Sequence, residues 1–134
     1  IRIASDNARF GMPEVKVGIP SIIHAALLPG LIGQARAGWL LLTGEHIDAT
    51  RAQAWGLVDT VVPLDRLDEE VDHFARCFAG CGPNVLRQQK RLLRQWQETD
   101  VETAIMRGVD EFAAAFATGE PAQFMAPFLK SSHR

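Results

Sequence analysis

The sequence predicts an α/β chain that is mainly α, with a few short strands at the start followed by a helical region. Three observations carry that reading. Residues 1–63 hold short runs of alternating apolar and polar residues broken by Gly and Pro, as in Ile1-Arg2-Ile3-Ala4 and Val15-Lys16-Val17. Residues 64–134 place apolar side chains at spacings of three and four. The composition, 47% hydrophobic and 22% charged, is that of an ordinary globular protein. It excludes a disordered tail, a collagen-like fibre and a disulfide-packed miniature. The chain is therefore read as two regions, 1–63 and 64–134.

The elements follow in order. Ile1-Arg2-Ile3-Ala4 is extended, Ser5-Asp6-Asn7 turns, and Ala8-Arg9-Phe10 resumes the strand. After Gly11 and Pro13, Val15-Lys16-Val17 reads as extended again. Pro20-Ser21 opens a helical run with Ser21 as its N-cap and Ile22, Ile23, Ala26 and Leu27 on one face; Pro29-Gly30 interrupts it. A second piece from Gln34 to Thr43 ends at Gly44. Asp48 caps a short helix, Ala49 to Trp55, which Gly56 stops, and residues 57–62 are extended up to Pro63.

The remainder is helical. An acidic amphipathic helix over 65–79 turns Leu67, Val71, Phe74 and Phe78 to one side. A basic one over 84–97 turns Val85, Leu86, Leu92, Leu93 and Trp96 inward. A third, 101–118, carries Ile105, Val109, Phe112 and Phe116 and ends at Gly119; a last helical stretch lies around Phe124 to Leu129.

Charge limits the partners. Fourteen Lys and Arg against sixteen Asp and Glu leave −2 overall, so no general basic field exists to hold nucleic acid or an anionic membrane. The one basic run, Arg87 to Arg94, reads as the solvated face of a helix. The greasiest stretch, Ile19 to Ile32, is short and interrupted by Ser21, His24, Pro29 and Gly30, so no bilayer span is expected. Cys77 and Cys81 alone do not close a tetrahedral metal site; His73, one turn before Cys77, would make a three-ligand set the alternative, and the more economical reading is two small thiols in a reducing compartment. A cytoplasmic location is expected, with no metal and no secretory leader. The first residue is Ile1, and the few strands at the start want sheet partners that 134 residues do not supply. A longer parent protein is therefore expected.

No P-loop, dinucleotide fingerprint, HExxH or GxSxG is present. His24, among Ile and Ala, reads as a buried core histidine. The segment Ala8-Arg9-Phe10-Gly11-Met12-Pro13-Glu14 stands out. Pro13 holds Met12 extended, and the apolar Val15, Val17 and Ile19 beside Glu14 would desolvate its carboxyl, raising its pKa for general acid or base work. On spacing alone, a surface Glu at a strand end is the more economical reading.

Ile1 to Ser5, followed by Ala8-Arg9-Phe10-Gly11-Met12-Pro13-Glu14-Val15-Lys16-Val17-Gly18-Ile19-Pro20, resembles the middle of the crotonase superfamily, the enoyl-CoA hydratases and isomerases. Leu41-Leu42-Thr43-Gly44-Glu45-His46-Ile47-Asp48-Ala49 and Gly56-Leu57-Val58-Asp59 resemble its next signature, and Phe124-Met125-Ala126-Pro127-Phe128-Leu129-Lys130 its closing helix. The resemblance implies an α/β fold of the crotonase type, with this chain forming the C-terminal part of the core and a helical assembly region. It implies an acyl-CoA substrate, no cofactor beyond that substrate, and a homo-trimer or hexamer.

Carried over residue by residue, Glu14 falls on the glutamate that protonates the α-carbon in hydratases and shuttles a proton in isomerases. Met12, Pro13 and Ser21 fall beside it as substrate-binding positions, and Phe128 falls on a position that touches the CoA of a neighbouring subunit. Where a basic residue is expected one turn later stands Ser131, with Lys130 beside it. The turn after Pro20, Ser21-Ile22-Ile23-His24, is one residue shorter than the family's glycine-rich turn and alters a pocket wall. The resemblance puts a second glutamate and the oxyanion donors upstream of Ile1, so the isolated chain is expected to be inactive. Other thioester chemistry (hydrolysis, dehalogenation, decarboxylation) and a non-catalytic assembly module are the competing readings.

Overall fold

The computed structural model describes residues 1–131. The chain divides into two compact units, Ile1–His73 and Phe74–Arg134. The boundary between them falls within a helix, while the change from mixed to all-helical structure comes earlier, after Val62.

In the first unit, β1 (Ile3–Ser5) pairs in parallel with β4 (Thr60–Val62), Ala4 opposite Val61. β2 (Arg9–Phe10) pairs antiparallel with β3 (Ile47–Asp48), Phe10 opposite Ile47. Each pair is only two strands wide, so packing on helices must hold it. Three short helices, α1 (Leu28–Ile32), α2 (Gln34–Thr43) and α3 (Ala49–Ala54), supply it. Their inner faces contribute Leu28, Ile32, Ala37, Leu40 and Ala52 to a core completed by Ala4 of β1, Ile47 of β3 and Val58. Arg51 on α3 lies over the rings of both Trp39 and Trp55, 4.8 Å from each centroid, closing the core's edge by cation–π contact.

The caps stand where local chemistry puts them. Asp48 Oδ1 accepts the Arg51 N–H at 2.8 Å, and Gly44 takes the left-handed backbone that ends α2 at φ 62°. Three elements differ from expectation. Residues 13–17 are not extended but form a 3-10 helix, because Pro13 is pre-set for a first helical position. Pro29 and Gly30 do not break a helix; Pro29 sits in the first turn of α1, where its missing N–H costs nothing. The strand expected over 57–62 is confined to Thr60–Val62. Ahead of it, Leu57 and Val58 turn back to donate to the Ala52 carbonyl.

Helix α4 (Leu67–Ala79) joins the units. The second contains α5 (Pro83–Gln95), α6 (Val101–Phe116) and α7 (Glu120–Ser131). Arg91 on α5 forms a two-pronged ion pair with Glu111 on α6, at 2.6 and 2.7 Å. The apolar faces expected to turn inward do so only in part. Leu92 is buried, but Val85, Leu93 and Trp96 are exposed, as is the α6 stripe of Ile105, Val109, Phe112 and Phe116. Periodicity predicts which face is apolar, not whether a partner covers it.

Candidate active site

Glu14 is carried by the 3-10 helix Pro13–Val17, and that helix is fastened at several points. Upstream, the β2–β3 pairing holds Phe10, and the ring of His46 lies where a Cβ on Gly11 would be, 2.8 Å from its Cδ2. Only glycine lets the strand pass so close. Along the helix, Lys16 Nζ pairs with Glu45 Oε1 at 2.7 Å, and the Lys16 and Val15 side chains press on Gly44 at the end of α2. Downstream, Gly18 reverses the chain with φ 79°.

That reversal brings the following segment back onto Glu14. The Ile19 N–H donates to the Glu14 carbonyl at 3.2 Å, and the Ser21 hydroxyl donates to Glu14 Oε2 at 2.7 Å. Ser21 is therefore not a helix N-cap: the next 3-10 turn, His24–Leu27, begins after Ile23 and has no side-chain cap. The Ser21 donation foremost, then Glu14's own backbone, holds the carboxyl below its ordinary value of 4.5. Burial pushes the other way and is the smaller influence. The expectation of a raised pKa is corrected here: Val15, Val17 and Ile19 are exposed and do not enclose the carboxylate.

The remaining predicted residues are placed as follows. Met12 is half-buried against the core of the first unit, and Pro13 is exposed on the first turn of the 3-10 helix. The side chains of Phe128 and Lys130 lie outside the described residues. His24 is exposed, not a core histidine, because the segment 22–24 runs along the surface. Cys77 and Cys81 are both exposed thiols. Among the described residues, no group of three His, Cys, Asp or Glu side chains is placed to hold a metal ion. No helix among them is long and apolar enough to cross a membrane. Sequence reasoning missed the Ser21–Glu14 contact. The signal available for it was Gly18 ahead of Ile19-Pro20, a reversal four residues after the glutamate.

The fold, short strand pairs laid on helices, is shared with solved enoyl-CoA hydratases. The structure from Bacillus anthracis matches with a TM-score of 0.92 at 29% identity, over 97% of this chain and 51% of that one. The structure from Geobacillus kaustophilus matches at 0.90 and 31% identity, over 96% and 51%. These likenesses make the fold crotonase-type α/β. The sequence pattern of the enoyl-CoA hydratase/isomerase family matches residues 1–130, and the chain belongs to that family.

Among curated relatives, a crotonyl-CoA hydratase of Syntrophomonas wolfei is 36% identical over 130 residues, 96% of this chain and 50% of the relative. A short-chain-enoyl-CoA hydratase of Clostridioides difficile is 36% identical over 129 residues, 96% of this chain and 83% of the relative. A probable enoyl-CoA hydratase of Mycobacterium tuberculosis is 34% identical over 131 residues. The chain spans about half the length of the Syntrophomonas and Mycobacterium relatives, at 50% and 51%.

Proposed function

We propose that this chain is part of an enoyl-CoA hydratase or isomerase acting on acyl-CoA thioesters, with Glu14 as the general acid/base at the α-carbon. The observation that carries the reading is the placement of Glu14. Glu14 is a half-buried residue, held at both backbone and side chain, and carried on a 3-10 helix that packs on α2. A strand-end surface glutamate would show none of these restraints. General acid–base catalysis needs a group held within reach of its proton's path, and restraint of this kind supplies that.

The lowered pKa has a chemical meaning in this reading. A carboxylic acid that has protonated the α-carbon is left as a carboxylate, and the Ser21 hydroxyl donates to that form. In an isomerase the same carboxylate takes the first proton. The resemblance also implies a second glutamate and oxyanion donors, and neither is assigned to a residue of this chain. Met12, Pro13, Phe128 and Lys130 are assigned to substrate on the same basis.

The test is Glu14→Gln in the full-length protein, which keeps shape and removes the titrating proton. Acyl-CoA binding is expected to persist while kcat falls by roughly 10²–10⁴. An unchanged kcat would end the assignment.

An assembly role is the second reading, and the exposed stripe on α6 favours it. Ile105, Val109, Phe112 and Phe116 lie at successive helical spacings and are 55–69% exposed. A continuous apolar face of that kind marks an interaction surface. We assign it to packing within a homo-trimer or hexamer, which is compatible with the catalytic reading.

A further inference from the structure

We infer that Ser21 is a positioning residue for Glu14, not a substrate contact: its hydroxyl fixes the rotation of the carboxylate and stabilises its ionised form. The inference rests on the acid/base reading of Glu14 and adds to it the residue that sets the group's orientation and strength.

The geometry is specific. A five-residue 3-10 helix begins at Pro13 and is ended by Gly18 in the left-handed region, so the chain doubles back immediately after the glutamate. The returning segment grips Glu14 twice, through the Ile19 N–H on its carbonyl and the Ser21 hydroxyl on Oε2. A backbone grip alone would fix where Glu14 starts, but not where its carboxylate points, since the side chain retains its own rotations. The hydroxyl removes that freedom. It is the only side-chain donor to the carboxylate among the described residues, and it is committed to Oε2, leaving Oε1 without a side-chain donor.

The neighbouring residues explain why a hydroxyl is needed at this point. Ile19, Ile22 and Ile23 flank Ser21 and are exposed, so no other polar side chain from this segment can take its place. Pro20, immediately before, has no N–H to offer. Within this segment Ser21 is the side chain that donates to the carboxylate.

The chemistry follows from which form the hydroxyl favours. A donor to a carboxylate lowers its pKa, because the bond is stronger to the ionised form than to the neutral acid. When Glu14 gives its proton to the α-carbon, the O–H bond of the acid breaks and a C–H bond forms; the carboxylate left behind accepts the Ser21 hydroxyl. The products of that transfer are thereby stabilised. When Glu14 takes a proton instead, the same bond keeps it ionised and ready. In either direction, loss of the hydroxyl moves the Glu14-controlled limb of the pH–rate profile to higher pH.

The experiment uses the full-length protein, with crotonyl-CoA as the probe, and compares Ser21→Ala, Ser21→Thr and Glu14→Gln. Ser21→Ala is expected to lower kcat on the order of tenfold, less than the roughly 10²–10⁴ for Glu14→Gln. KM should stay within about twofold. The limb of the kcat profile that depends on Glu14 should move to higher pH, and Ser21→Thr, which keeps a hydroxyl, should restore its position. A rise in KM with an unmoved limb would make Ser21 a substrate contact and overturn the inference, as would an unmoved limb with any loss of kcat. Should Ser21→Ala fold poorly, carbon-13 titration of Glu14 in Ser21→Thr and Ser21→Cys reads the same quantity. An identical Glu14 titration in the thiol and hydroxyl variants would also overturn it. Failure of the underlying reading is separate: there, Glu14→Gln itself keeps full kcat.

Discussion

Glu120, in the first turn of α7, fills the space that a side chain on Gly82 would need: a Cβ there would collide with Oε2 and stand 2.7 Å from Cδ. The carboxylate is buried and accepts the N–H groups of Asn84 and Val85, at 2.8 and 2.9 Å. These are donors of the first turn of α5, which no residue of α5 could satisfy, and Pro83 brings none of its own. A negative charge at a helix N-terminus is also favoured by the helix dipole. One residue of α7 thus fastens the start of α5, and the glycine makes room for it.

Gly82→Ala should therefore destabilise the protein although its backbone, at φ −63°, would accept any residue. The added methyl must push the carboxylate off its two donors. A cost of about 1–3 kcal/mol is expected, the usual range for overpacking a closed site. Urea unfolding of the variant beside the parent measures it.

Acid should loosen the same junction. Burial, the largest single influence, pushes the Glu120 carboxyl up, but the Asn84 and Val85 N–H groups, the Asn84 side chain and the Arg87 charge together outweigh it and the net value lies below the ordinary 4.5. A carboxyl depressed in the folded state stabilises fully above its unfolded value, and that contribution is lost as pH falls through the folded value. The Asn84 and Val85 amides should stay protected from exchange at neutral pH and lose protection below about pH 4.5. In Glu120→Gln that acid-dependent loss should disappear.

Asp48 offers a local test. Its side chain caps α3 through Arg51, and α3 packs between β2–β3 and β4, so loss of the cap is felt by the strands that lead to Glu14. Asp48→Ala should cost about 1 kcal/mol, in the range known for N-cap removal. A thermal melt checks the stability, and the melt of Asp48→Ser, a residue that can also cap, should lie near that of the parent.

Assembly should depend on α6. Phe112 is 69% exposed at the centre of the apolar stripe, edge-on to Phe116 with ring centroids 5.3 Å apart. In sedimentation the full-length protein should run as a trimer or hexamer, and Phe112→Lys should shift it toward smaller species. A parent that stays monomeric at every concentration would remove the assembly role.

The sequence by itself determined what depends on neighbours within a turn or two. Asp48 ahead of α3, Gly44 after α2, Gly119 after α6 and the apolar spacing of α4 to α6 could all be read because a cap or a stop acts on the adjacent turn. Ordered motifs, from Ile1-Arg2-Ile3-Ala4-Ser5 through Gly56-Leu57-Val58-Asp59, were enough for the family and for Glu14 as its candidate carboxylate. Tertiary structure alone decided the rest. Pro13-Glu14-Val15-Lys16-Val17 alternates like a strand but coils, since Pro13 starts a helical turn and Lys16 finds Glu45, 29 residues away. The pKa of Glu14 goes down, not up, because Ser21 returns to it after the Gly18 reversal, while Val17 and Ile19 are exposed and Val15 packs toward Gly44. Glu120 reaches a helix start 36 residues earlier, a pairing that no periodicity encodes. Hydrophobic spacing states what a helix has to bury; only the packed fold shows which faces are covered, and by what.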